Sequence, residues 1–467
     1  MDEIVKFIDN IFVKYWEYVG GYALLIMLVP TGLYFAFKFR FLHVTKLGHA
    51  LKVIMGKYDR KEDTGDINHF RALTTALSAT VGTGNIVGVA LAIYYGGPGA
   101  IFWMWVTGFL GMVLKFVECT LSFKFRKVHK DGSISGGPMY YMEMGLKKKL
   151  GPFAKIMAVI FATATILCSL GTGNMAQSNS ISDALKTNYN IPELLTAFAV
   201  TFVVLLVIVG GIKRIAEVTS KLVPFMAVFY FVSAIAIIIV FIEEIPATFV
   251  MIFKSAFTGT AATGGFIGSV FLITLRKGIA RGLFSNEAGQ GSAAIAHAAA
   301  KTKHPVREGL VASVGPLVDT LIICTLTALV IILTGAWKSG IEGVGMTLEG
   351  FSIGLGRIGL QGLAGHVVAG GLLLFAFSTI ISWSYYGTRG AEYLLGEKFI
   401  KPYRYLYGVF VFLGAIGKID IVWHFVDMVI TFMTIPNLIA IILLAPIVKQ
   451  ETQKYFDYMK KPGINNY

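Results

Sequence analysis

Four polar clusters carry side chains able to hold a small ligand or a bare cation, and each interrupts an apolar stretch. Gly82-Thr83-Gly84-Asn85 stands in the middle of HFRALTTALSATVGTGNIVGVALAIYY. Glycine costs about 1 kcal/mol in a helix interior and asparagine competes for local backbone groups, so the run predicts an unwound stretch. Bare N–H and C=O groups are tolerated at membrane depth only where they line a cavity. The second interruption, RGLFSNEAGQGS from Arg281 to Ser292, sets polar residues and three glycines between apolar stretches. A membrane helix carries Asn-Glu-Ala-Gly only beside a polar cavity or partner. A second GTGN run, Gly171 to Asn174, is followed by Gln177, which shares a helical face with Asn174. Finally, Ser378, Thr379, Ser382 and Trp383 follow Phe-Ala-Phe, and hydroxyl oxygens suit a hard cation such as sodium.

Other chemistries are excluded by spacing. The first run reads GxGxxxG rather than GxGxxG and lies in an apolar span, which argues against a nucleotide loop. Cys119, Cys168 and Cys324 all sit in apolar segments and form no CxxC site. No Ser–His–Asp set, metal-ligand spacing or P-loop is present, so neither an enzyme nor an ATP-driven pump is expected.

The elements that position these clusters are membrane helices. The chain has 467 residues, 55% hydrophobic and 15% charged, against roughly 25% charged in soluble proteins. Apolar runs of 18 or more residues recur, and each can cross a bilayer of roughly 30 Å. Eleven spans are expected, at 17–38, 70–96, 98–124, 154–183, 193–212, 222–242, 265–299, 309–335, 363–393, 403–417 and 422–448. With the N-terminus outside, the inward loops and the tail hold 28 Lys and Arg, and the outward segments hold seven. This positive-inside bias places the N-terminus outside and the C-terminus, with the tail 449–467, in the cytoplasm. It also accounts for the net charge of +14 without any nucleic acid. The acidic start MDEIVKFIDN lacks the basic region of a signal peptide.

With the first span set aside as an extra N-terminal helix (17–38), the two breaks open two groups of five helices, 70–242 and 265–448. Five is odd, so the second group inserts with opposite topology. Paired interrupted helices at corresponding positions of inverted halves point to a transporter site.

The runs GTGNI, GGPGAIFWMW, SGGPMYY, GTGNMAQSNS, VPFMAVFY, RGLFSNEAG, AIAHAAAKT and SWSYYG resemble the alanine/glycine:cation symporter family, also called sodium:alanine symporters. The resemblance extends from about residue 65 to 447. It implies a single all-α transmembrane domain with a LeuT-like 5+5 inverted repeat, one extra N-terminal helix and two discontinuous helices. It also implies a transporter of the cell inner (plasma) membrane, surrounded by lipid and expected as a monomer. The implied activity is secondary active uptake of small neutral amino acids, alanine or glycine, with sodium as the coupling ion. Proton coupling and a passive channel or facilitator are the alternatives. Gln290 and Ala294 depart from the family pattern, which usually carries an apolar residue and a proline there.

On that resemblance the roles distribute as follows. Gly82, Thr83, Gly84 and Asn85 offer N–H groups and a half-helix end to the substrate carboxylate. Gln177 is a polar contact to substrate or, on the blander reading, an interhelical hydrogen bond. Ser285 and Asn286 offer oxygens to the ammonium, and Phe284 walls the pocket. Sodium is assigned to Ser378 and Thr379 with backbone oxygens of Ala79 and Gly82. Trp383 closes the pocket or anchors at the interface. Glu287 either holds the loosened backbone or binds a coupling ion. Lys115, Glu118, His69, His297, Asp319 and Asp427 read as structural, with a gate or packing role open to the two aspartates.

Overall fold

The computed structural model describes residues 2–60, 62–130, 132–258, 267–417 and 420–461, and these are almost entirely helical. The first two residues expected in the span 265–299, Lys418 of the outward set, and the last six residues of the tail lie outside the described residues.

The membrane helices run α1 (Gly21–Lys38), α2 (His69–Thr80), α3 (Val89–Gly96), α4 (Ala100–Lys124), α5 (Pro152–Leu170), α6 (Ala176–Tyr189), α7 (Glu193–Ile208) and α8 (Gly211–Val240). They continue as α9 (Ile267–Asn286), α10 (Ser292–His297), α11 (Pro305–Pro316), α12 (Thr325–Leu333), α13 (Ala364–Leu395), α14 (Ile400–Ile416) and α15 (Asp420–Met459). Among the described residues seven continuous helices are long and apolar enough to cross a membrane, and the bent pair around the first break makes an eighth. The other three expected spans coincide with α7, with α9 plus α10, and with α14. These three fall short of that length and hydropathy test, and eleven crossings remain a proposal.

Both breaks form. Asn68 caps α2, its side chain accepting the Arg71 N–H at 2.9 Å. The helix ends at Thr80, Val81 is extended (ψ 91°), and the chain re-enters a wide turn, Gly84–Gly88, before α3. The two halves are bent by 56°. In the second break Glu287, Gly289 and Gly291 all have φ between 53° and 84°. Glycine adopts this left-handed conformation at no steric cost and other residues rarely do, so α9 stops at Asn286. The second GTGN does not break its helix, since Gly171–Met175 forms one wide turn between α5 and α6.

Three boundaries differ from the sequence reading. The first span is continuous from Lys6. The stretch 213–221, read as a loop, is the start of α8, where Lys221 pairs with Glu217 at i,i+4 and 3.6 Å. The segment 449–459, read as tail, is helical and continues α15, a helix with Pro436 and Pro446 inside it.

Helix α4 is the hub on which α9 and α11 lie. Lipid gives apolar faces no reason to meet, so membrane helices associate through close contact at small residues. A methyl group on Gly278 would lie 2.4 Å from the Ala100 carbonyl oxygen, and one on Gly282 2.0 Å from Thr107 Oγ1. These glycines stand one turn apart and bring α9 onto α4. Gly309 does the same for α11, where a methyl would sit 2.6 Å from the Phe116 carbonyl oxygen. Backbone cannot yield as a side chain does, and overpacking costs roughly 1–3 kcal/mol. Gly278→Ala is therefore expected to lower the melting temperature of the purified protein. Gly48→Ala, with nothing within 4 Å of the added carbon, is expected to leave it unchanged.

Candidate functional site

A cavity of about 1180 Å³ opens on the side that carries the N-terminal helix. Its wall includes Glu17, Asp183 and Glu342, and basic Arg276, Lys277 and Arg281 from one helix, α9. Thr83 and Phe284, one from each break, are among its lining residues. The opposite, basic side is closed. Arg126 donates to the carbonyls of Ala298 (3.0 Å), Ala300 (2.7 Å) and Thr64 (3.0 Å). The Lys301 N–H reaches the Ile67 carbonyl at 2.7 Å, and Arg307 reaches the Tyr58 carbonyl at 2.8 Å. One end of the molecule is thus open and the other sealed, with both breaks between.

The two breaks touch. The Phe284 ring covers Gly84, where a methyl would come within 3.1 Å of it. Beneath it, Asn85 Nδ2 donates to Asp319 Oδ1 at 2.7 Å and to Ser285 Oγ at 3.2 Å, while Ser285 Oγ donates to Asp319 Oδ2 at 2.6 Å. Thr320 Oγ1 adds a 2.8 Å bond to the same carboxylate. Asp319 is fully buried, and among the described residues no ion pair includes it. The sequence flagged Asp319 as a lone intramembrane carboxylate; its partners, 234 and 34 residues away, left no local signal. Carbonyls freed by the first break are met by hydroxyls: Thr327 donates to Asn85 O at 2.8 Å and Thr347 to Ile86 O at 3.2 Å.

On the other flank, α13 faces the last turn of α2. Thr379 Oγ1 lies 3.2 Å from the Ser78 carbonyl oxygen and 3.5 Å from that of Val81, and Ser378 Oγ lies 3.2 Å from Ser78 O. The carbonyls met are therefore one residue before the expected Ala79 and Gly82, because α2 ends at Thr80. Gly82 remains essential to the approach, since a methyl there would lie 2.7 Å from Thr379 Oγ1. A helix C-terminus gathers partial negative charge, so hydroxyls and carbonyls converge where a cation is stabilised. Gln177 comes from α6: its Nε2 donates to Thr83 Oγ1 at 3.2 Å and to Thr172 O at 3.1 Å. Its Oε1 is buried with no hydrogen-bond partner and lies beside Gly82.

Asn286, Glu287 and Trp383 sit elsewhere than in the cavity wall. Asn286 caps its own turn, Oδ1 accepting the Ala288 N–H at 3.0 Å. The Glu287 N–H closes α9 on Leu283 O at 2.9 Å, and its carboxylate accepts from Ser292 at 2.5 Å and from Trp383 Nε1 at 3.0 Å. The Glu287 carboxylate thus ties two side chains, Ser292 of α10 and Trp383 of α13, to the second break. Trp383 is buried against Gly173, where a methyl would be 2.3 Å from Trp383 Cβ. Gln290, the departure from the family pattern, donates to Leu283 O at 3.2 Å and helps close the same turn. Asn437 of α15 donates to Gly289 O at 2.9 Å and to Glu118 Oε1 at 2.6 Å.

This arrangement has relatives. Residues 3–466 match the sodium:alanine symporter family. The chain belongs to that family. It is 43% identical over 461 residues to an uncharacterised transporter of Haemophilus influenzae, covering 98% of each chain. It is 41% identical over 453 residues to the sodium/alanine symporter AgcS of Methanococcus maripaludis, covering 96% of this chain and 97% of that one. Among solved structures, MhsT in complex with L-phenylalanine superposes with a TM-score of 0.59 at 15% identity, over 82% of this chain and 90% of that one. The fold is accordingly LeuT-like, and the symporter is a multi-pass membrane transporter of a cation-coupled amino-acid family rather than an enzyme.

An N–H lost from a buried carboxylate leaves it short of a partner, at a cost of about 1–3 kcal/mol. Trp383→Phe is expected to destabilise the symporter by that amount. Adding Glu287→Gln should recover part of the loss, because no charge is then left unpaired. A double-mutant cycle on melting temperature checks this. Additive losses would mean that the two side chains act independently.

Proposed function

We propose that this symporter takes up a small neutral amino acid, alanine or glycine, with sodium, by alternating access between the open face and the basic face. The observation that carries the reading is the first break. It has the Ser78 and Val81 carbonyls and the Thr379 hydroxyl on one flank, with the unpartnered oxygen of Gln177 also beside Gly82. Sodium takes the first flank, with Ser378 and Thr379 as side-chain ligands. The amino acid binds between the breaks, its carboxylate on the N–H groups of Thr83, Gly84 and Asn85 and its ammonium toward Gln177 and the Ser285 region. The Thr83–Phe284 floor limits the side chain to a methyl or a hydrogen. The open face is extracellular, as the distribution of basic residues argues. The relative named for sodium and alanine supports the same ion and substrate.

Sodium coupling supplies ample driving force. A potential of 100 mV contributes ~2.3 kcal/mol per charge, and a tenfold sodium gradient adds ~1.4 kcal/mol. One sodium per substrate then supports roughly 500-fold accumulation. Proton coupling is the second reading, favoured by Asp319, a buried carboxylate held only by neutral donors.

Labelled alanine uptake into proteoliposomes, with sodium and proton gradients imposed separately, decides between them. Uptake is expected to follow the sodium gradient; uptake driven by protons alone overturns the sodium reading and promotes Asp319. Thr379→Ala removes one oxygen ligand while leaving the amino-acid contacts in place. It is expected to raise the sodium half-saturation about tenfold, a loss of roughly 1.4 kcal/mol, with a smaller effect on alanine binding measured at saturating sodium. The reverse pattern would remove Thr379 from the ion site.

A further inference from the structure

The sealed face contains one buried carboxylate that touches both broken helices. Glu308, near the start of α11, is 0% exposed. One of its oxygens bonds Nδ1 of His69, the first residue of α2, and the other bonds Nδ1 of His297, the last residue of α10, at 2.5 Å. Both imidazoles are 1% exposed. With the carboxylate ionised, each ring must present an Nδ1–H to it, so a single group fixes both tautomers. His69 Nε2 then faces the carboxylate of Asp59 at 3.5 Å, and His297 Nε2 is buried without a partner.

The elements joined are what matters. Helix α2 is the half of the first broken helix on the sealed side, and α10 is the corresponding half of the second. The adjoining segments meet along a backbone seam, Asp66 N–H to Ala299 O at 2.8 Å and Lys301 N–H to Ile67 O at 2.7 Å. For the cavity to open on this face, the two half-helices must part. A buried hydrogen-bonded triad around a carboxylate is a poor way to gain stability, because well-packed apolar side chains do as well or better. Its distinguishing property is a bond with fixed geometry that is lost as a unit when one partner leaves. His49 and His304, beside the seam, are both held to about 4 by burial and by the neighbouring Arg307, and so stay neutral and do not compete for the carboxylate.

We infer that Glu308 is the inner latch of the transport cycle, a positioning residue that holds His69 and His297 together while the cavity is open and releases them when the sealed face opens. The inference rests on the alternating-access reading, and its test needs neither substrate nor coupling ion. Cys119 of α4 is fully buried against Ala294 of α10 and Ala312 of α11, so it becomes reachable when α10 leaves. Cys168, equally buried on α5, serves as the internal reference.

The experiment labels the full-length protein in proteoliposomes with N-ethylmaleimide and follows each cysteine by peptide mass spectrometry. Glu308→Gln is expected to raise the Cys119 labelling rate at least fivefold relative to Cys168. His69→Gln and His297→Gln should each do so to a smaller extent. Glu308→Gln with His69→Gln should add nothing to Glu308→Gln, since one broken triad cannot be broken twice. An unchanged Cys119 rate in folded Glu308→Gln overturns the latch, and so does a parallel rise at Cys168, which reports general loosening. If Glu308→Gln does not fold, His297→Gln decides alone, and unchanged labelling there overturns the proposal. A wrong choice of amino acid or coupling ion leaves these rates untouched, so the two failures are distinguishable.

Discussion

Everything in this molecule depends on how it satisfies the backbone of two interrupted helices at membrane depth. Lipid offers no hydrogen bond to a freed N–H or C=O, and each one left bare costs several kcal/mol. The symporter meets that demand with side chains from helices far away in sequence. Thr327 and Thr347 cover the Asn85 and Ile86 carbonyls, and Asn437 covers Gly289. Asp319 then binds the first break to the second through Asn85 and Ser285. The breaks can stay open only because the surrounding helices hold them open, and those helices come close enough only because glycine lines their contacts.

The same economy explains why the site chemistry is so sparse in charge. At the first break a carbonyl edge is met only by the neutral hydroxyls of Ser378 and Thr379, and one amide oxygen on Gln177 has no partner. On the proposed reading, recognition rests on backbone geometry, which tolerates little change in ligand size. The basic residues Arg276, Lys277 and Arg281 stay in the cavity wall above, where water can still reach them.

The sequence exposed the two breaks because glycine and polar residues inside an apolar span leave few other readings; Gly82 to Asn85 and Glu287 to Gly291 are where the helices bend or stop. Local rules served less well at boundaries. Lys213, Arg214 and Lys221 looked like a loop by charge, yet Glu217 and Lys221 pair along the first turns of α8. Around Thr379 the hydroxyl meets the carbonyls of Ser78 and Val81, a register that the glycine run locates only to within a residue. The roles of Asp319 and Glu308 were illegible, since the partners that define them come from distant segments: Asn85 and Ser285 for Asp319 and, for Glu308, a histidine 239 residues away. Trp383 read as a cap over the pocket or an interfacial anchor, and its bond to Glu287 left no local signal.

The last helix draws a further consequence from its own chemistry. Forty residues in α15 make a rod about 60 Å long, roughly twice the hydrocarbon thickness. Pro436 and Pro446 each remove a rung of its ladder, and Asn437, beside the first, is tied to the second break. Beyond the second proline, Glu451 is held by Lys124 at 3.0 Å, and Tyr455 bonds His49 at 2.7 Å. The rod is thus pinned at its far end and weakest near its middle. Its outer half is tied to the N-terminal segment through Tyr15–Thr431 at 2.8 Å and Asp9–His424 at 2.7 Å, so the unpaired rungs at the prolines fall between two anchored ends, beside the grip on Gly289.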